Sequence, residues 1–276
     1  MKSKESRLTE VLTPLASRKA AGMTLNKLVI GYQGHKVAGP MTNSLRAGEL
    51  CCLLGANGAG KSTLLRTLAA FQPPLEGEIW IDGRNITEIS PRQLSTMIGI
   101  VLTERIKMGG ITVRDMVAMG RSPYTNFWGR LTDEDNNEVD KAMQQVGITR
   151  FANRQISTLS DGERQKVMIA KALAQGTPII LLDEPTAFLD FPSKVEVMLL
   201  LGRLAHEMGK SIFLSTHDLD LALQTADRLW LMGKGEGDEG LLAVGTPREV
   251  ASELPRFFPS EHLDFDAEAL RFNIKI

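Results

Sequence analysis

Residues 50–63 constrain this chain more than any other segment. The apolar run Leu50-Cys51-Cys52-Leu53-Leu54 is followed at once by Gly55-Ala56-Asn57-Gly58-Ala59-Gly60-Lys61-Ser62-Thr63, and a helix-like segment, Ser62 to Ala70, opens behind it. Glycines at the first and sixth positions let a backbone wrap closely around phosphate oxygens with its amides pointing inward. Lys61 can then reach the outer phosphates and Ser62 can hold a divalent cation, while the helix N-terminus adds the positive end of its dipole. An ordinary glycine-rich turn between strand and helix would not require Lys-Ser-Thr in this register. The segment predicts a nucleoside triphosphate site, with Gly55, Asn57, Gly58, Gly60, Lys61, Ser62 and Thr63 as contacts.

A phosphate loop does not say what the triphosphate is for. With 276 residues, 43% of them hydrophobic, the chain can bury one substantial core, or an α/β core carrying an inserted subdomain. A net charge of −1 gives no electrostatic footprint for nucleic acid, so no nucleic-acid partner is expected. No apolar run approaches bilayer-spanning length and no signal peptide is visible, so a soluble, cytoplasmic protein is expected. The adjacent cysteines, Cys51 and Cys52, lie in the strand feeding the loop and read as small apolar packing residues.

The chain divides into three parts. Residues 1–22 read as an appended surface arm, with Leu8, Val11, Leu12 and Leu15 at helical spacing and Pro14 limiting any helix. Residues 23–247 carry the main domain. Short β-like runs appear at 28–30, 50–54, 78–81 and 98–102, and a mostly helical stretch from Thr112 to Ala174 suggests an inserted helical subdomain of about 104–172. The continuous apolar runs 179–182 and 211–214, separated by a helical stretch 194–208, read as buried parallel strands joined by a crossover. Residues 233–240 read as a flexible loop. Residues 248–276 form an extension whose Phe257, Phe258, Phe265 and Phe272 are expected to pack back on the core.

Two carboxylates close the run Ile179-Ile180-Leu181-Leu182-Asp183-Glu184-Pro185. Downstream of a phosphate loop, Asp183 is placed to hold Mg²⁺ through water, and Glu184 to polarise the water attacking the γ-phosphate.

Leu159-Ser160-Asp161-Gly162-Glu163-Arg164-Gln165, shortly before that strand, resembles the signature loop of the ATP-binding-cassette ATPases. A capping box from Ser160 to Glu163 explains the helix start but not this order of motifs. The resemblance spans about Met23 to Pro247. It implies an α/β fold: a P-loop NTPase core with a mostly parallel sheet, an antiparallel β subdomain and an inserted helical subdomain. It also implies ATP with Mg²⁺, and a homodimer closing on ATP, in which Ser160 and Gly162 engage the partner's γ-phosphate and Asp190, in Ala187-Phe188-Leu189-Asp190, faces the partner. His217, in Ser215-Thr216-His217-Asp218, matches the histidine that contacts the γ-phosphate and fixes the attacking water. Tyr32 matches the aromatic residue stacking on adenine. Two positions depart from the family pattern. Glu104 stands where a glutamine touches Mg²⁺, and its proton affinity should be raised near an anionic triphosphate. Asp161 replaces a glycine, and the backbone is expected to orient it outward.

The segment Ile111 to Tyr124 resembles the ATPases that serve importers of iron-siderophores, haem and cobalamin. The resemblance implies transport through separate integral membrane permease subunits, an indirect role for a substrate-binding protein, and a peripheral location on the inner face of the membrane. The alternative from a different class is a soluble scaffold ATPase in iron–sulfur cluster assembly.

Overall fold

The computed structural model describes residues 22–102, 110–126, 128–234, 240–259 and 261–275. Two strands, β1 (Met23–Tyr32) and β2 (His35–Leu45), form an antiparallel hairpin before β3 (Leu50–Gly55) enters the phosphate loop and α1 (Lys61–Leu68) leaves it. Then follow β4 (Glu76–Ile81), β5 (Arg84–Asn85), α2 (Pro91–Leu94) and β6 (Ile98–Val101). Three helices come next: α3 (Val113–Ala118), α4 (Asp133–Gln145) and α5 (Asp161–Ala174). The chain returns to the sheet through β7 (Ile179–Leu182), α6 (Phe191–Met208), β8 (Ser211–Ser215), α7 (Leu219–Thr225), β9 (Arg228–Lys234) and β10 (Gly240–Gly245). It closes with α8 (Leu254–Phe257), β11 (Leu263–Asp266) and β12 (Arg271–Ile274).

A six-stranded sheet runs in the order β10-β9-β3-β8-β7-β6, and all its neighbours pair in parallel except β9 with β10. A four-stranded antiparallel sheet has the order β2-β1-β4-β5. The alternation of side chains along a strand explains why β3 and β7 are apolar throughout. Leu50, Cys52, Leu54, Ile180 and Leu182 face one core, with the helices α3 to α6. Cys51, Leu53, Ile179 and Leu181 face the other, with α1 and the antiparallel sheet. The two cysteines therefore point to opposite faces and are buried, free thiols. Burial pushes the Cys51 thiol well above its ordinary range.

Each of the three helices between β6 and β7 starts from a side chain that takes up an otherwise unpaired amide. Thr112, Thr132 and Ser160 each accept a hydrogen bond from the backbone three residues on, and the acid there returns the bond in a capping box. Arg121 and Asp135 form a buried ion pair at 2.8 Å, and the same guanidinium donates to Ala174 O at 2.9 Å. The turn after α3 is thereby tied to the start of α4 and the end of α5. In the closing segment, Phe257 is buried and Phe258, Phe265 and Phe272 pack against the helical-side core. Among the described residues no helix is long and apolar enough to cross a membrane.

Candidate functional site: the phosphate loop and the strand ends beside it

Glycines in the phosphate loop are required by contact as well as by conformation. A Cβ at Gly55 would sit 2.2 Å from Met232 O, and one at Gly60, whose φ is +101°, would sit 2.5 Å from Val37 Cγ1. Lys61, the first residue of α1, is buried, and its Nζ donates to Gly55 O at 2.7 Å and Ala56 O at 3.2 Å. Burial lowers its pKa, while the charges of Glu184 and Asp183 oppose that shift. Two neutral carbonyls are weak partners for an ammonium, and anionic oxygens would compete well for it. Asn57 and Gly58 form the exposed turn before Gly60, and Ser62 and Thr63 lie in the first turn of α1.

The carboxylates arrive at the C-terminal end of β7, beside that loop. Asp183 N donates to Val101 O at 2.9 Å, continuing the pairing with β6. Ser215, the last residue of β8, donates from Oγ to Asp183 Oδ1 at 2.7 Å and accepts from Glu184 N at 2.9 Å. One hydroxyl thus fixes both acids. Glu184 adopts φ of +47°, a left-handed backbone that a side-chain-bearing residue enters at about 1–3 kcal/mol. Its Oε1 contacts His217 Nε2, brought from the turn after β8. Thr216 N donates to Leu53 O at 3.1 Å, anchoring that turn to β3. Ser62 and Asp183 line one small hollow between α1 and the ends of β6 and β7. Lys61, Ser62, Asp183, Glu184 and His217 are therefore brought together, as are the strand ends that carry them.

Tyr32 ends β1 with its ring exposed. Gln72 Nε2 ties that strand end to α1 by donating to Gly31 O and Thr67 Oγ1, both at 3.1 Å. Ser160, Gly162 and Asp190 form a second group, at the neighbouring N-termini of α5 and α6. Ser160 Oγ accepts from Glu163 N at 3.2 Å, and Glu163 Oε2 accepts from Ser160 N at 2.9 Å. That backbone bond, foremost, holds the Glu163 carboxyl below its ordinary range. A Cβ on Gly162 would come within 2.9 Å of Ser193 Oγ and 3.1 Å of Ser193 Cβ, so the two helix starts pack closely at this glycine. Asp190 caps α6 by accepting from Ser193 N at 3.0 Å. Asp161 pairs with Arg164 at 2.7 Å, so its charge is engaged along its own helix. Glu104 lies outside the described residues, as do residues 1–21 of the 1–22 arm.

The sequence alone gives no role to Ser215. Its only local signal is its place at the end of a buried strand, two residues before His217.

These motifs, on this sheet, are matched by known proteins. The sequence profile of the ABC transporter family matches residues 39–187. The chain belongs to this family. It is 38% identical over 226 residues to the ferric enterobactin transport ATP-binding protein FepC of Escherichia coli, an alignment covering 82% of each chain. A solved ABC transporter chain described as metal-chelate type, in an inward-facing conformation, superposes with a TM-score of 0.74 at 26% identity, covering 92% of this chain and 95% of that one. The dimeric cassette MJ0796 superposes with a TM-score of 0.65 at 27% identity, covering 80% and 98%. The cassette binds ATP and is an ATPase, with the P-loop core, mostly parallel sheet, antiparallel sheet and helical segment expected of its fold.

Proposed function

We propose that this ATPase energises import of an iron chelate through separate membrane permease subunits. The observation that carries the permease is a groove of about 570 Å³ between the end of α1, the edge strand β6 and the turn after α3. Phe71, Ile98, Ile100, Met119 and Pro123 line it, and Phe71 and Met119 are exposed. Large apolar side chains exposed on a concave surface suit an intermittently buried protein interface. The chelate as cargo is supported by the likeness to a ferric enterobactin transport protein and to a chain of metal-chelate type. The transport relative also favours this reading over an assembly scaffold.

In hydrolysis, Lys61 moves from its loop carbonyls to the outer phosphates, and the amides of the phosphate loop line the anion. Ser62 and Asp183 offer oxygens to one hollow and would hold Mg²⁺ together with phosphate oxygens. Among the described residues no three His, Cys, Asp or Glu side chains form a protein-only metal cage. A nucleotide-borne Mg²⁺ needs only one or two protein oxygens, so the donor set fits. Bound there, the ion would neutralise charge on the phosphates. Glu184 accepts a hydrogen bond from the attacking water, and His217 fixes that water and the γ-phosphate. The water oxygen bonds to the γ-phosphorus as the bond to the β–γ bridging oxygen breaks; the water's proton passes by way of Glu184 to the released phosphate, and ADP leaves with the bridging oxygen. Tyr32 stacks on adenine, and Ser160, Gly162 and Asp190 face a second copy across an ATP-bound homodimer. The site lies on the cytoplasmic face, where the permease meets the groove, and a substrate-binding protein acts only through the permease.

The test is Met119→Glu, which places a charge in the groove away from the nucleotide residues. Uptake of a labelled ferric siderophore by cells carrying the cognate permease should fall severalfold, while the purified subunit keeps its ATPase rate. Full uptake would remove the groove from the mechanism, and uptake of labelled cobalamin instead of the siderophore would reassign the cargo.

A further inference from the structure

His217 is flanked by a carboxylate that no step above uses. Asp218 occupies the N-cap position of α7, yet its side chain makes no capping bond there. It turns away to two other elements. Lys194 Nζ, from the first turn of α6, donates to Asp218 Oδ1 at 2.8 Å, and Thr186 Oγ1 donates to Oδ2 at 2.9 Å. The backbone N of Asp218 donates to Thr216 Oγ1 at 3.0 Å. Thr186 is buried, and Lys194 and Asp218 are partly buried.

The placement of the two donors is informative. Thr186 and Lys194 bracket the loop 187–190, one just before it and one just after. Ala187 N donates to Glu184 O at 3.0 Å, and Lys194 N donates to Asp190 O at 3.0 Å, so the loop is bonded at one end to the catalytic glutamate and at the other to α6. Phe188, within it, adopts φ of +64°. One carboxylate, adjacent in sequence to the histidine, thus fastens both ends of this strained loop to the turn that carries His217.

We propose that Asp218, clamped by Lys194 and Thr186, is a positioning residue that sets His217 against Glu184 and links that register to the loop 187–190. A carboxylate can take both donors at once, and the lysine charge shortens and strengthens one of the two bonds. A shift of His217 by a fraction of a bond length would misplace the attacking water, and such errors lower turnover without removing phosphate contacts. The inference rests on the catalytic reading of His217 and Glu184.

The experiment compares Lys194→Met, Lys194→Arg, Thr186→Val and His217→Ala in the full-length purified protein. It reads kcat and KM for Mg-ATP, with binding of a fluorescent ATP analogue as a check on folding. Lys194→Met and Thr186→Val should each lower kcat on the order of tenfold while KM stays within about twofold, the signature of lost positioning rather than lost binding. Lys194→Arg, which restores a charged donor, should recover most of the rate. Wild-type kcat in both Lys194→Met and Thr186→Val would overturn the clamp. So would an Lys194→Arg protein as slow as Lys194→Met while still binding the analogue. If His217→Ala keeps the wild-type kcat, the underlying assignment of His217 fails instead. A slow His217→Ala beside normal clamp variants would leave that assignment standing and remove the clamp alone.

Discussion

At the scale of single residues, the two acids at the end of β7 share one hydroxyl, but their side chains meet different partners. Asp183 is oriented by Ser215 Oγ, whereas Glu184 has its backbone in a left-handed conformation and its carboxylate against His217. Strain of this kind persists only where surrounding bonds over-determine it. Here the bond from Glu184 N to Ser215 and the bond from Ala187 N to Glu184 O do so. Glu184→Gln keeps shape and hydrogen-bonding reach but removes the charge proposed to polarise water. Phosphate release should fall about a hundredfold or more, the usual contribution of a general base, while binding of a fluorescent ATP analogue is retained. Lys61→Ala should show the opposite pattern, with affinity lost first. A Glu184→Gln protein turning over at the wild-type rate would refute the assignment. Lys61 also makes affinity pH-dependent. Its pKa is lowered by burial and would be raised again by phosphate oxygens, so binding favours proton uptake. Affinity should therefore weaken as pH rises through the lowered free-protein value.

Among the elements, the joint of α3, α4 and α5 is held by a buried ion pair. Arg121 pairs with Asp135 with both nearly inaccessible, caps Ala174 O, and stacks on the Tyr124 ring with its guanidinium carbon 3.9 Å from the centroid. Removing one member leaves an uncompensated charge inside. Arg121→Met should lower unfolding stability by about 3–5 kcal/mol in urea titration, and the double change Arg121→Met with Asp135→Leu should recover a good part of it. Equal losses in the single and double variants would contradict this account. The Asp135 carboxyl is held below its ordinary range, first by the Thr132 backbone amide and also by Arg121. A depressed carboxylate contributes stability that is fully present above its unfolded pKa and is lost as pH falls through its folded one. The midpoint of thermal unfolding should accordingly fall in acid, and less steeply in the double variant.

For the whole molecule, the phosphate-loop group and the group at the starts of α5 and α6 would be the two halves of the composite ATP site proposed for a pair of copies. If each site takes its signature loop from a second copy, Lys61→Ala and Ser160→Ala proteins should each be poorly active alone. Mixed in equal amounts, they should regain a fraction of the wild-type rate, because one of the two sites in a heterodimer is then intact. No recovery on mixing, in proteins that still bind ATP or present a folded α5, would count against the shared site. Sedimentation with and without ATP provides an independent reading, with dimer expected only in the presence of ATP.

Much of this protein was legible in short stretches of chain because the responsible contacts are local. The phosphate loop depends on glycine conformations and on a lysine six residues after Gly55. The capping boxes at Thr112, Thr132 and Ser160 close over three residues. The two-faced burial of β3 and β7 follows from unbroken apolar runs. What those stretches could not determine is which distant groups meet. Ser215 reaches Asp183 across 32 residues, Lys194 reaches Asp218 across 24, and Arg121 reaches Ala174 O across 53. A serine, a lysine or an arginine carries no mark of its partner, since its bond is chosen by whichever group the packed sheet and helices place within about 3 Å. The sequence by itself determined the triphosphate site and the order of the elements, through neighbours along the chain. Only the tertiary structure decided which hydroxyl meets both acids and which donors Asp218 takes, because those contacts form when separate strand ends and helix starts are packed together.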